Sequence, residues 1–207
     1  MKIVFVNIPM KKASDPKHYP VDGNSEIEYE GNVRFPINAV LAKSLKKGES
    51  VKIVKFITKD SKNNYLENSR FFNEELDLLN QGIGANIQYN EIIEEYSEDL
   101  RTHENRFRKL INELEDGADI LVDITYGQKT LPILLFSTLS FAEKFYNANI
   151  QNIIYGKINY DSDNNIIDGS QKIYDITSLY YLNTLTAAME APNSESAKEM
   201  IDNFFEM

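Results

Sequence analysis

Thr125-Tyr126-Gly127-Gln128-Lys129 places a hydroxyl, a phenol, a glycine, an amide and an ammonium in five consecutive positions. That set suits phosphate oxygens: glycine allows close approach to the backbone, the polar side chains donate hydrogen bonds and lysine supplies charge. Its setting supports the same chemistry. Residues 118–124 (ADILVDI) are too few to span a bilayer and too uniformly apolar for a half-exposed strand, so they read as a central parallel strand covered on both faces. Leu131, Leu134, Leu135, Thr138, Leu139 and Ala142 then recur at helical spacing. Pro132 falls in the first turn, where its missing N–H costs no hydrogen bond. Such a corner directs free backbone N–H groups and the positive end of a helix dipole at the crevice where open α/β sheets bind ligands. The same residues also fit a plain strand-to-helix turn, with Asp123 capping or pairing locally and Thr130 as N-cap.

Other chemistries find less support. There is no Gly-x-Ser-x-Gly elbow for a Ser–His–Asp hydrolase and no Gly-x-x-x-x-Gly-Lys-Ser/Thr phosphate loop. His18 falls in a long polar connection and His103 on an acidic helix; two separated histidines and no cysteines make no spaced metal-ligand set, and no cofactor is expected. Gly82 and Gly84 lie between a helix and a strand, whereas a dinucleotide fingerprint needs its glycines between a strand and a helix, so they read as a helix cap. Residues 161–169 are rich in Asp and Asn but lack the central glycine and terminal glutamate of a calcium loop. A hairpin turn is the simpler reading.

The elements around the corner follow from periodicity. Residues 2–7 (KIVFVN) read as a buried strand that leads into a polar connection through about Gly31, broken by Pro16, Pro20 and Gly23. This connection is either a ligand cover or a disordered surface excursion. Helices are expected over 35–47, 64–79, 98–115, from Lys129, and from Ser178. Strands are expected over 51–58, 87–93, 150–158 and 172–176. Alternating strands and helices closed by a hairpin predict an α/β, three-layer, Rossmann-like open sheet, mostly parallel with an antiparallel edge. Residues 1–192 are expected to form one ligand-binding domain, with 193–207 a C-terminal linker or short helix.

Apolar residues make up 42% and charged residues 26% of the 207 positions, the balance of an ordinary globule. No apolar run has the length of a bilayer span and no signal-peptide pattern opens the chain, so a cytoplasmic protein without membrane association is expected. With 22 Lys and Arg against 32 Asp and Glu the net charge is −10, which disfavours duplex nucleic acid as a partner. A small anion in a locally basic crevice remains compatible with that balance.

Asp123-Ile124-Thr125-Tyr126-Gly127 followed by Leu131-Pro132-Ile133-Leu134-Leu135, and a later strand ending Ile153-Ile154-Tyr155-Gly156-Lys157, resembles the CRISPR-associated Rossmann fold (CARF) family. The specific part of the resemblance covers residues 118–157. It implies a sensor of cyclic oligoadenylates, the second messengers of type III CRISPR antiviral signalling. Carried over by position, it gives Thr125, Tyr126, Gly127, Gln128 and Lys129 as one ligand motif and the exit of the first strand, Asn7 through Pro9, Met10 and Lys11, as the other. Asn38 joins Tyr126 and Asn7 as a reader of adenine, with Arg34 and Lys157 as weaker candidates. Tyr126 stands where the family frequently has histidine; it can stack or donate a hydrogen bond but is no neutral base near pH 7.

The resemblance implies a homodimer in which one cyclic tetramer or hexamer touches both copies of the motif around a two-fold axis. A fused or separate effector is implied as partner, and none fits after Pro192. The alternative is a metal-independent ring nuclease, in which Thr125, Tyr126 and Lys129 orient the ligand's own 2′-hydroxyl toward the adjacent phosphate and stabilise the developing charge. A third reading is a nucleotide-binding α/β enzyme outside CRISPR defence.

Overall fold

The computed structural model describes residues 1–159, 161–163, 166, 167 and 169–205. The chain divides into two compact units, Met1–Thr177 and Ser178–Met207. The first holds a seven-stranded sheet: β1 (Lys2–Ile8), β2 (Val21–Asp22), β3 (Ser50–Thr58), β4 (Asn86–Glu94), β5 (Asp119–Asp123), β6 (Asn149–Lys157) and β7 (Lys172–Asp175). Its spatial order is β2-β7-β6-β5-β1-β3-β4. Every pairing is parallel except β6 with β7, so the expected antiparallel hairpin is present at that edge.

Four helices serve as crossovers in this unit: α1 (Pro36–Ser44), α2 (Asn64–Asn80), α3 (Leu100–Ile111) and α4 (Leu131–Tyr146). From β1 the chain crosses by α1 to β3 on one side; from β5 it crosses by α4 to β6 on the other. Right-handed crossovers running in opposite directions put α1 and α2 on one face and α3 and α4 on the other. The three-layer Rossmann-like arrangement is therefore as expected. The β1 strand is buried along its whole length. One side of it, Val4, Val6 and Ile8, packs with Ile37, Leu41 and Phe72 of α1 and α2 into the main core.

The connection after β1 is ordered and is not a disordered excursion. Lys17 and Val33 exchange backbone hydrogen bonds at 2.9 Å, Val21–Asp22 pairs with β7, and Ser25–Ile27 forms a 3-10 turn capped by Asn24. Two-residue strands leave no alternation to read in sequence, because their pairing comes from the tertiary neighbour. The start of α3 also shifts inward, to Leu100, because Asp99 accepts the Thr102 N–H at 2.9 Å and so caps the helix. Thr130 precedes α4 but its side chain makes no capping bond. Asn164, Asn165 and Asp168 of the turn between β6 and β7 lie outside the described residues. The second unit contains α5 (Thr177–Ala188), which begins at the boundary, and α6 (Ser194–Phe205). No helix among the described residues is long and apolar enough to cross a membrane.

Candidate functional site

β1 has β3 on one side and β5 on the other, and the crossovers leaving β1 and β5 diverge to opposite faces. The sheet is thereby left uncovered between the carboxyl ends of these two strands, the place where doubly wound folds bind ligands. A cleft of about 910 Å³ occupies it. Its walls come from Pro9, Met10, Lys11 and Lys12 after β1, from Thr125, Tyr126 and Gly127 after β5, and from Tyr155, Gly156 and Lys157 at the end of β6. The connection from Ala13 to Tyr19 and Pro36 at the start of α1 close it.

Lys11, Lys12, Lys17 and Lys157 line this cleft, with Asp15 the acidic residue among the lining. The Asp15 carboxylate lies 3.6 Å from Arg34 Nη1, which also donates to the Ser14 carbonyl at 3.0 Å. A chain of net charge −10 thus turns a basic surface inward at its switch point. Field lines concentrate in such a concave patch and draw anions to it.

Each wall is held by a specific bond. Asn68 of α2, fully buried, donates from Nδ2 to the carbonyls of Pro9 at 2.7 Å and Lys11 at 2.8 Å. Its Oδ1 accepts the Ala13 N–H at 3.1 Å, so one amide fixes the exit of β1. The Asp123 Oδ1 accepts the Thr125 N–H at 2.7 Å, and the Thr125 hydroxyl accepts the Gly156 N–H at 2.7 Å. Those two bonds join the β5 corner to β6. A Cβ on Gly156 would run into the Pro36 ring, so glycine there lets α1 begin against the sheet.

Gly127 has φ +102°, which favours glycine, and a Cβ there would stand 3.2 Å from Asn7 Cγ. Asn7 is 2% exposed and lies beneath this corner. Gln128 is also buried, and its Oε1 accepts from Arg106 Nη1 at 2.6 Å. Burial pushes the Asp123 carboxyl up to about 6, although Thr125 and the Ile37 N–H at the start of α1 draw it the other way.

Of the residues expected at the site, Pro9, Met10, Lys11, Thr125, Tyr126 and Gly127 meet in the cleft lining. Asn7 and Gln128 lie under it. Lys129 is exposed and stands outside the lining. Asn38 is fully buried and turns toward α2, donating to the Glu75 carboxylate at 2.9 Å and the Phe72 carbonyl at 3.4 Å. Of the two weaker candidates, Lys157 lines the cleft, whereas Arg34 braces the connection over the Phe71 ring, 4.9 Å from its centroid.

Sequence reasoning missed Lys12, Lys17, Asn68 and Arg106. The lysine pair Lys11-Lys12 was a visible signal of local charge. Arg106 precedes Leu110 by one helical repeat and so falls on the inward face of α3, a spacing that gives away its burial. Nothing in the local sequence marks Asn68, whose partners lie 55 to 59 positions away.

No family model matches the chain. A stretch of 52 residues is 36% identical to the CRISPR-associated protein MJ1674 of Methanocaldococcus jannaschii. That match covers 25% of this chain and 8% of the relative's length.

Proposed function

We propose that this chain is a CRISPR-associated, homodimeric CARF sensor that binds a cyclic oligoadenylate, tetramer or hexamer, in type III antiviral signalling. The observation that carries the reading is the lysine-lined cleft at the switch point between β1 and β5, set in a strongly acidic chain. A ring of phosphates needs cationic groups and close backbone approach, and Lys11, Lys157 and Gly127 meet those needs. The similarity to a CRISPR-associated protein supports the biological setting. An effector, fused or separate, would receive the signal.

Two-fold symmetry of an even-membered ring matches an isologous dimer, in which each protomer presents the same cleft. Calorimetry with cyclic tetra-adenylate and cyclic hexa-adenylate tests this directly. One ring per two chains is expected. A protein that ignores both rings but binds mononucleotides is instead a nucleotide-binding enzyme of another kind. Incubation with EDTA divides the remaining outcomes: an intact ring belongs to a sensor, and a linear product to the ring nuclease.

A further inference from the structure

Arg106 is the largest fully buried side chain among the described residues. It sits on α3, outside the cleft lining. Its Nε donates to Glu94 Oε2 at 2.8 Å, at the end of β4, and its Nη1 donates to Gln128 Oε1 at 2.6 Å, inside the corner after β5. Its guanidinium carbon lies 5.4 Å from the centroid of Phe56 on β3. Phe56 is the register partner of Asn7 on β1. Asn7 in turn packs against Gly127, the residue before Gln128. These contacts close a circuit beneath the corner: Arg106, Phe56, Asn7, Gly127 and Gln128.

Burying a guanidinium is costly unless its charge is paired and its N–H groups are bonded. Glu94, only 10% exposed at its side chain, supplies the pairing, and Lys109 grips its other oxygen at 2.7 Å. Glu94 alone would anchor Arg106 to β4. The second limb, reaching Gln128, is a separate investment whose effect falls on the corner. Arg106 Nη2 and Gln128 Nε2 have no hydrogen-bond partner, so the contact is not one strand of a fully bonded stabilising network.

We infer that Arg106 is a positioning residue for the ligand cleft, holding Gln128 so that Gly127 before it keeps its left-handed conformation and the corner backbone faces the anion. The inference rests on the reading of the cleft as an oligoadenylate site. It adds a residue that touches no ligand and a rigid connection from the β4 and α3 side of the sheet to the corner.

The test compares Arg106→Lys, Gln128→Leu and the double variant in the full chain. Lysine keeps the charge opposite Glu94, but a single ammonium cannot span both partners as the guanidinium fork does. Arg106→Lys should lower affinity for cyclic tetra- or hexa-adenylate by about tenfold, the size of one buried charge-assisted hydrogen bond. Gln128→Leu should do the same, and the double variant should be no weaker than either, because both remove one contact. Rates of amide hydrogen exchange at Gly127, Gln128 and Lys129 should rise in both single variants while those of β1 and β5 stay as in the wild type. Losses that add, or variants that bind like wild type with unchanged corner exchange, overturn the inference. If the wild type binds neither ring, the oligoadenylate reading fails by itself, and the exchange rates still decide whether Arg106 holds the corner.

Discussion

Two buried polar networks lie on opposite sides of the sheet, and they are finished to different degrees. On the α2 side, the fully buried Lys55 ammonium contacts Glu91 at 2.8 Å, Ser69 at 2.7 Å and Asn73 at 2.8 Å, while Ser69 donates to Glu91 at 2.8 Å. None of these side chains has a buried polar atom without a partner. Under the cleft, by contrast, Asn7 Nδ2, Gln128 Nε2 and Arg106 Nη2 are buried and unpartnered. Interiors rarely tolerate such groups, because each forfeits hydration without a replacement. A closed network serves stability, whereas an open one beneath a basic cleft marks where stability has yielded to another demand.

The largest loss of stability should come from breaking the closed network. Glu91→Ala leaves the Lys55 ammonium buried with only neutral partners. Burial already holds its pKa below the ordinary lysine value. The loss should be about 3 kcal/mol, the low end of the scale for stranding one member of a buried ion pair, because the Glu91 side chain is 39% exposed and water screens the charge it leaves behind. Urea unfolding measures it. Anion affinity at the cleft should not change, and a parallel loss of binding would erase the distinction between the two networks.

The corner itself makes a prediction through Asp123, which faces α1 and whose carboxyl is pushed from 3.8 to about 6 by burial. A raised folded-state value means that the protonated form is favoured on folding. Its contribution is therefore complete below pH 3.8 and is lost as pH rises through about 6. Asp123→Asn removes that titration while keeping the acceptor that holds Thr125. At pH 7.5 the variant should be more stable than wild type by about 3 kcal/mol, the free-energy equivalent of the shift, and near pH 3.5 the two should converge. Parallel stability curves across that range would show that Asp123 is not desolvated as the fold places it.

The two networks also differ in how visible they were in the sequence. The strands around the cleft could be read to within a residue or two because their apolar runs are uninterrupted, and so could the corner itself. Residues 51–58, in contrast, interrupt their apolar run with two lysines. Lys52 and Lys55 are three positions apart and point to opposite faces, and both are buried. Lys52 reaches the Glu113 carbonyl at 3.0 Å on the α3 side, while Lys55 reaches α2. Period alone cannot predict this, since each lysine depends on carboxylates brought close by other elements. The same holds for Asn38, whose amide donates to Glu75, and for Asn68, whose clamp on residues 9–13 exists only after α2 has docked.

The smallest predicted effect separates two lysines. Lys157 lines the cleft, whereas Lys129 is exposed outside its lining in the single chain. An ammonium at the rim gains only a screened interaction with phosphate, so Lys157→Ala should weaken cyclic oligoadenylate binding by about threefold at physiological salt. The sharper readout is the dependence of affinity on salt. Each lysine that neutralises a phosphate of a single strand contributes about 0.7 to the slope of log affinity against log salt, and Lys157→Ala should remove that much. A matching drop for Lys129→Ala would put its ammonium on the ring in the assembled dimer, completing the site from the partner's side or its own. An unchanged slope would remove Lys129 from the site and leave the β1 exit and β6 as the source of the cleft's charge.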